Sequence, residues 1–252
     1  MAQKPYSLHI YETLGSTNDT LQEMAAAGAP EGTAVLARHQ TAGRGRMGRS
    51  FYSPADTGLY FSILLRPDLP PEAALSLTPM AAVSAAEAIA EVTGIQTKIK
   101  WVNDLLLGQK KVCGILAQSQ LTEEGKRLAH AIIGVGINLQ PPRDGFPSEI
   151  AEIAGALYER AENVPPQLFT DLGEAVCQHI MSDYSHLQEK RYLAPYRERL
   201  CILGQPILVA ENDIVREAVA LDVDDDLRLL VRYSDGTEVW RSTGEIRIRP
   251  KF

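Results

Sequence analysis

The residues with the clearest chemical potential lie in one short segment, residues 43–49. It interleaves three glycines with three arginines, and neither a helical nor a strand periodicity runs through it. Glycines let backbone N–H groups approach an anion closely, and planar guanidinium groups donate paired hydrogen bonds to phosphate or carboxylate. The Gly-Lys-Ser/Thr ending of a P-loop is missing, and no helix follows as in a dinucleotide fingerprint. The segment predicts a loop that binds a polyanion, with a mobile basic surface loop as the alternative.

Polar residues also stand at the ends of predicted strands. Asn103 and Asp104 follow one strand, and Lys111 begins another after a turn at residues 108–110. A hairpin brings these ends together, so we expect an amide and a carboxylate near a lysine, suited to a magnesium ion and a phosphate. The alternative is an ordinary turn, in which Asn and Asp are common. Asn138 is likewise either a ligand contact at a strand end or a turn residue.

A third group, Ser16, Thr17 and Asn18, stands where a helix over residues 17–27 is predicted to begin. Ser16 and Asp19 have the spacing of a capping box, so helix capping alone explains the group. Hydroxyl and amide side chains at a helix N-terminus also suit a small polar ring system. The two roles are compatible.

The elements that position these groups predict an α+β fold. Strands are expected over residues 33–39, 58–65, 97–101, 105–107, 112–119 and 129–139, and further helices over residues 79–91 and 166–189. The four strands between residues 97 and 139 have no intervening helix, which favours a mixed, mainly antiparallel sheet over a parallel dinucleotide-binding one. Short alternating strands from about residue 202 predict a small β-barrel. We therefore expect two domains, residues 1–197 and 198–252.

Composition limits the cellular setting. The 252 residues carry a net charge of −7, which argues against nucleic-acid binding by the whole chain. The three cysteines form no CxxC pair, and the five histidines have no metal-binding spacing. No signal peptide is recognisable, and no apolar run approaches the length that crosses a bilayer. These features predict a soluble cytoplasmic protein in a reducing environment, with no membrane association.

Taken together, the motifs resemble those of biotin protein ligases, the biotin–[acetyl-CoA-carboxylase] ligase family. The matching stretches are residues 16–18, 40–49, 100–104, 111–116, 136–138 and, near the C-terminus, 244–246. The resemblance implies a catalytic domain related to class II aminoacyl-tRNA synthetases, followed by an SH3-like β-barrel. It also implies a reaction in two steps. Biotin's carboxylate attacks the α-phosphate of ATP to give biotinyl-5′-AMP, with Mg²⁺ assisting, and a lysine of a biotin carboxyl carrier protein then takes the biotinyl group.

The resemblance assigns roles to individual residues. The implied biotin contacts are Ser16, Thr17, Asn18, Gln40, Arg44, Gly45, Arg46, Lys111 and Gly114. The implied ATP contacts are Arg46, Arg49, Asn103, Asp104, Lys111 and Asn138. Arg46 and Lys111 are the expected catalytic cations, and Asp104 is the expected carboxylate on the Mg²⁺ side. The chain departs from the family pattern at Val102, where proline is usual, and at Met47, where a basic residue is frequent.

Three other functions compete with this interpretation. A lipoate-type ligase shares the fold and the adenylation chemistry, and a non-catalytic biotin-binding regulator would bind without turnover. Some relatives are DNA-binding repressors with an N-terminal helix-turn-helix. Because fifteen residues precede Ser16, we expect no repressor activity and no DNA partner. The expected partners are the biotin carboxyl carrier protein of acetyl-CoA carboxylase and, in a homodimer, a second copy of this chain.

Overall fold

The computed structural model describes residues 4–211, 214–242 and 247–250. The matching stretch 244–246 lies outside the described residues. The helices are α1 (Thr17–Ala26), α2 (Ala74–Thr93), α3 (Leu168–Tyr184) and α4 (Leu193–Arg199). The strands are β1 (Ser7–Leu14), β2 (Thr33–Gln40), β3 (Gly58–Leu65), β4 (Lys98–Lys100), β5 (Asp104–Leu107), β6 (Lys110–Leu121), β7 (Leu128–Asn138), β8 (Pro206–Glu211), β9 (Ile214–Val223), β10 (Leu229–Tyr233), β11 (Glu238–Arg241) and β12 (Arg247–Pro250).

The strands form two sheets. The larger has seven strands in the order β1-β2-β3-β7-β6-β5-β4, in which β1 and β2 are parallel and the other neighbours antiparallel. The smaller has five antiparallel strands in the order β11-β10-β9-β8-β12, consistent with an SH3-like domain. The predicted α+β class, with its mainly antiparallel sheet and C-terminal β unit, is confirmed. The boundary at residues 197 and 198 stays a prediction.

The central strands of the large sheet are buried on both faces. Every residue of β3 is buried, and alternate side chains point to opposite sides, as in any strand. Phe61 and Ile63 belong to the main core, which contains buried residues of α2 and α3. Leu64 points the other way and packs with Leu21 of α1 in a smaller apolar cluster. The candidate site lies on this α1 face, where α1 leaves part of the sheet uncovered.

Helix α2 corrects two expectations. It begins at Ala74 after a 3₁₀ turn at Pro71–Ala73, so Thr78 is not its cap and Pro79 lies inside the helix. Pro79 has no N–H group, so the Leu75 carbonyl lacks its helical hydrogen-bond donor. Leu75 is half exposed, and water can solvate this carbonyl. The stretch Pro71–Thr93 is also long and apolar enough to cross a membrane, contrary to expectation. Its most apolar window is 61% buried against the protein, which makes it a core helix.

The predicted bounds of most other helices and strands agree closely with the structure. Three elements, two strands and one helix, were not predicted. Helix α1 ends before Gly28, which has a positive φ of 88° as a helix stop requires. Strand β1 was missed because its mostly exposed edge position lacks an apolar face. Strand β12 and helix α4 were also missed. The predicted helix over residues 166–189 ends at Tyr184 and is followed by a separate 3₁₀ turn, Leu187–Glu189.

Candidate active site

A cleft opens on the α1 face of the large sheet. Its walls come from the N-terminus of α1, the end of β2, the loop after β2, and strands β3, β6 and β7. The lining residues are Ser16, Thr17, Asn18, Gln40, Arg44, Phe51, Tyr60, Phe61, Gly114, Leu116, Gly134, Val135 and Gly136. Six of the residues predicted for biotin, namely Ser16, Thr17, Asn18, Gln40, Arg44 and Gly114, therefore share one cleft.

Glycines of neighbouring strands form the floor of the cleft. Gly114 of β6 lies opposite Gly136 of β7 in the ladder. A Cβ atom on Gly136 would lie 2.6 Å from the ring of Phe51, and one on Gly134 would lie 2.2 Å from Asn18 Oδ1. Both distances are far below van der Waals contact. The floor is flat because these strand positions carry no side chain.

The closed end of the cleft is polar. The Thr17 backbone N–H and hydroxyl both donate to Gln40 Oε1, at 2.8 and 3.1 Å. Gln40 Nε2 in turn donates to Ser53 Oγ at 3.0 Å, which fixes the direction of the amide. Ser16 has the extended backbone of an N-cap residue, yet its side chain makes no capping hydrogen bond. Helix capping alone therefore does not account for the group.

Two cations, Arg46 and Lys111, form what we call the cation end of the site. A Cβ atom on Gly114 in the cleft floor would lie 3.0 Å from Lys111 Nζ, whereas Arg46 is outside the cleft lining. Asn103 and Asp104, the first residue of β5, hold the two cations. Arg46 Nη1 donates to Asn103 Oδ1 at 2.9 Å. Lys111 Nζ lies 2.7 Å from Asp104 Oδ1, with both side chains mostly shielded from solvent. The hairpin brings the expected carboxylate, Asp104, to Lys111, whereas the side chain of Asn103 contacts Arg46 and the Ile115 carbonyl. Each positive group is anchored by one neutral or negative partner and keeps further N–H donors for an anion.

The glycine and arginine loop is closed by its own backbone. Gly45 N–H donates to the Arg49 carbonyl at 2.7 Å, around a 3₁₀ turn at Arg46–Gly48. Arg44 forms an ion pair with Asp19 of α1 at 2.7 Å, so Asp19 ties the loop to the helix as well. Arg49 is exposed, and it does not line the cleft. The loop thus presents Arg44 and Arg46 on either side of Gly45.

Asn138 is engaged by the chain that follows β7. Its Nδ2 donates to the Gly155 carbonyl at 2.8 Å. The same segment pairs with the start of β6, because Lys111 N–H donates to the Ile153 carbonyl at 2.7 Å and Gly155 N–H donates to the Lys111 carbonyl at 2.8 Å. Asn138 therefore holds residues 153–155 against the strand that carries Lys111. It does not line the cleft.

A second cavity, of about 230 Å³, lies on the α2 side of the sheet. Arg46 stands in its lining together with Val102, the first residues of α2 and the outward end of β6. Most of the remaining lining is apolar. Arg46 therefore lines this second cavity, and it is not among the residues that line the glycine-floored cleft.

The buried thiol and phenol near the cleft are not nucleophiles at neutral pH. Burial raises the pKa of the Cys113 thiol, and the nearby charge of Lys111 only partly offsets this. Burial raises the pKa of Tyr60 to about 12, and its hydroxyl donates to the Pro54 carbonyl at 2.9 Å. Both groups remain protonated. Chemistry in the cleft therefore depends on its cations and on a nucleophile that the ligands bring.

Sequence reasoning missed several lining and supporting residues. Phe51 lies over the glycine floor with its ring 5.9 Å from Lys111 Nζ, and Leu116 supplies an apolar wall. Ser62 and Gln118 support Asn18 from two strands. Ser62 carried a usable signal, since it is the lone polar residue in the apolar strand β3. Phe51 and Gln118 carried no sequence signal that distinguishes them from other residues in loops and strands.

Comparisons with known proteins agree with this geometry. The model of the biotin/lipoate A/B protein ligase family matches residues 11–138. The bifunctional ligase/repressor BirA of Bacillus subtilis is 42% identical over 185 residues, covering 73% of this chain and 53% of the relative. This chain therefore spans about half the length of that relative. A biotin–[acetyl-CoA-carboxylase] ligase of Paracoccus denitrificans is 32% identical over 220 residues, covering 81% and 86% of the two chains.

A solved structure gives the same result. The biotin protein ligase of Aquifex aeolicus in complex with biotin and ATP superposes with a TM-score of 0.78 at 27% identity. The superposition covers 97% of this chain and 99% of that one. Both sheets are therefore shared along nearly the whole length.

Proposed function

Because this chain belongs to the biotin/lipoate A/B protein ligase family, we propose that it is an ATP-dependent biotin protein ligase. In the first step a carboxylate oxygen of biotin attacks the α-phosphorus of ATP. The bond from that phosphorus to the bridging oxygen breaks, and pyrophosphate leaves. In the second step a lysine amine of a carrier protein attacks the acyl carbon of biotinyl-5′-AMP, loses a proton, and releases AMP.

The observation that carries the proposal is the pair of anchored cations, Lys111 against the cleft floor at Gly114 and Arg46 in the lining of the second cavity. Both reactants of the first step are anions, so they repel each other until positive charge is fixed around them. Arg46 is held by Asn103 at 2.9 Å, and Lys111 is held by Asp104 at 2.7 Å. Fixed cations align the carboxylate with the phosphate and stabilise the charge that develops at phosphorus. A carboxylate nucleophile is already deprotonated, so no general base is required.

The polar end of the cleft favours biotin over lipoate. Biotin's ureido group has two N–H donors and a carbonyl acceptor, whereas the dithiolane ring of lipoate has no comparable hydrogen-bonding group. Thr17, Asn18 and Gln40 line this end with hydroxyl and amide groups. A ligand without matching groups leaves such polar atoms unpaired when it enters, which costs affinity. The residues proposed for biotin are those of the resemblance, from Ser16 to Gly114.

For the nucleotide we propose the cation end of the site. Arg46 and Lys111 face the phosphates, and Arg49 adds an exposed cation. Asn103 and Asp104 act by holding Arg46 and Lys111. Asn138 contributes by fixing the segment around Gly155.

ATP binds as its magnesium complex, and Asp104 is the carboxylate proposed beside the ion. Among the described residues, no three His, Cys, Asp or Glu side chains gather as a metal-binding group. This donor set fits Mg²⁺, which takes one or two carboxylates and otherwise prefers phosphate oxygens and water.

The carrier protein of acetyl-CoA carboxylase is the proposed acceptor, as the name of the Paracoccus relative suggests. We also propose a homodimer and a cytoplasmic location. Support for the dimer comes from β6, which pairs with β5 only between Lys110 and Gly114 within the described chain. Beyond that, its edge from Leu116 to Leu121 is open to strand addition. Sedimentation with and without biotin and ATP tests the dimer.

The decisive experiment for the ligase activity is mass gain on a purified carrier domain. With ATP, magnesium and biotin, the wild-type chain adds one biotinyl group, and Lys111→Ala or Arg46→Ala abolishes the addition. Lys98→Ala is the matched control, because Lys98 is an exposed lysine of β4. ATP–pyrophosphate exchange stimulated by lipoate and not by biotin would assign the chain to the lipoate branch. Biotin binding without exchange or labelling would make it a non-catalytic binder.

A further inference from the structure

The side chain of Asn18 bridges two strands across the floor of the cleft. Asn18 is almost completely buried, with 5% of its surface exposed. On one side, Ser62 Oγ of β3 donates to Asn18 Oδ1 at 2.6 Å. On the other side, Asn18 Nδ2 donates to Gln118 Oε1 of β6 at 2.6 Å. The planar amide therefore crosses β7, the strand that lies between β3 and β6.

Strand β7 makes room for this bridge with a glycine. Gly134 lies opposite Ser62 in one ladder and opposite Leu116 in the other. A Cβ at Gly134 would overlap the Asn18 amide, as the 2.2 Å distance to Oδ1 shows. Each of three strands thus contributes to the bridge. Strand β3 supplies the Ser62 hydroxyl, β7 supplies the space at Gly134, and β6 supplies the amide oxygen of Gln118.

Ser62 also reaches the neighbouring residue of α1. Its Oγ lies 2.8 Å from Thr17 Oγ1, and Thr17 in turn contacts Gln40. Ser62 is fully buried, so no water competes for these contacts. One hydroxyl group therefore connects the two side chains, Thr17 and Asn18, that form the polar end of the cleft.

We propose that Ser62 and Gln118 are positioning residues that orient Asn18 and Thr17 toward the ureido ring of biotin, an inference that rests on the proposed ligase function. A bicyclic ligand with a fixed set of donors and acceptors is recognised well only if the facing groups are already held in place. Free Asn and Thr side chains occupy several rotamers and lose that freedom on binding. Ser62 and Gln118 remove this freedom in advance. The contacts of Ser62 and Gln118 described above are with residues of α1, not with the two cations.

The test separates biotin recognition from chemistry. Ser62→Ala and Gln118→Met each remove one hydrogen bond to Asn18, so biotin's KM and calorimetric Kd are expected to rise about fivefold. The kcat at saturating biotin and the KM for ATP stay unchanged, because the cations are untouched. Gln118→Glu keeps an oxygen acceptor facing Asn18 and restores most of the affinity. Gln120→Met is the control, since Gln120 lies two residues further along β6 and contacts Gln22 outside the cleft.

Three outcomes overturn the proposal. Unchanged biotin Kd in both variants removes the positioning role. An equal loss of biotin affinity in Gln120→Met shows a general effect of β6. If Gln118→Glu does not recover the biotin affinity lost in Gln118→Met, the contact from Asn18 to an oxygen at position 118 does not orient the site. If Ser62→Ala does not fold, the Gln118 series decides alone. Wild-type protein that neither binds nor transfers biotin refutes the ligase function itself, which the wild-type measurement reveals before any variant is compared.

Discussion

The tightest contact in the cleft floor gives the sharpest prediction, Gly134→Ala. The new methyl carbon would lie 2.2 Å from Asn18 Oδ1. Because this distance is well below van der Waals contact, the Asn18 amide has to move away from β7. That movement breaks the contacts of Asn18 with Ser62 and Gln118, both 2.6 Å long. Two hydrogen bonds at about 1 kcal/mol each, with a modest overpacking penalty, give a loss of about 3 kcal/mol of unfolding free energy. For a chain of this size, the melting temperature falls by about 6–12 °C.

The assay combines calorimetric melting with biotin titration. Biotin affinity is expected to fall about thirtyfold, since two hydrogen bonds that orient the site are lost. Gly15→Ala is the matched control, because no atom lies within 4 Å of its added Cβ. In an Asn18→Ala background the obstacle is gone, so Gly134→Ala adds little further destabilisation and the two effects are strongly non-additive. Additive effects, or a Gly134→Ala protein that melts and binds like wild type, would refute the proposed fit.

Two more measurements test the cation end and a buried histidine. Asn103→Ala frees the Arg46 guanidinium from its partner at 2.9 Å, so kcat/KM in ATP–pyrophosphate exchange is expected to fall about 10–100-fold. An exchange rate equal to that of the wild type contradicts this. Burial, aided by the charge of Arg66, lowers the pKa of His130 below its ordinary value of 6.5. The unfolded chain then binds the proton more readily, so stability is lost as the pH falls below about 6.5 toward the folded-state pKa. Denaturant unfolding at several pH values shows a smaller acid loss in His130→Gln, and an identical loss in both proteins contradicts the assignment.

The sequence predicted those parts of the fold whose signal is local. Strand β3 has the predicted bounds because an apolar run is flanked by turn residues on both sides. The hairpin at residues 108–110 follows from Gly108, which has a φ of 58°. The predicted start of α2 was wrong because Pro79 has the sequence context of a first-turn proline. The helix in fact begins upstream, directly after the turn Pro71–Ala73. Local patterns therefore located the elements well. They placed the start of α2 wrongly, because prolines at two different positions are each compatible with a helix start.

The candidate site was predicted as a set of residues, but not as a set of contacts. The Gly- and Arg-rich loop and the residues after β4 were each recognisable, yet nothing local pairs Arg46 with Asn103 or Arg44 with Asp19. These contacts join residues far apart in sequence, and they depend on how the loop folds over the sheet. Ser62 stands out in the sequence as a polar residue in the apolar strand β3, but its partners Thr17 and Asn18 are known only once α1 packs on the sheet.

The smaller sheet bears on the site through a contact of this long-range kind. Trp101 Nε1 donates to the carbonyl of Leu227 at 3.1 Å, across a separation of 126 residues. Leu227 is buried with a φ of 64°, in a turn where Asp224 accepts two backbone N–H groups. Trp101 stands two residues before Asn103, so the turn of the smaller sheet helps to fix the backbone that anchors Arg46 and Lys111. The placement of the two cations is therefore a property of both sheets, although the side chains that anchor the cations, Asn103 and Asp104, lie in or beside the larger sheet.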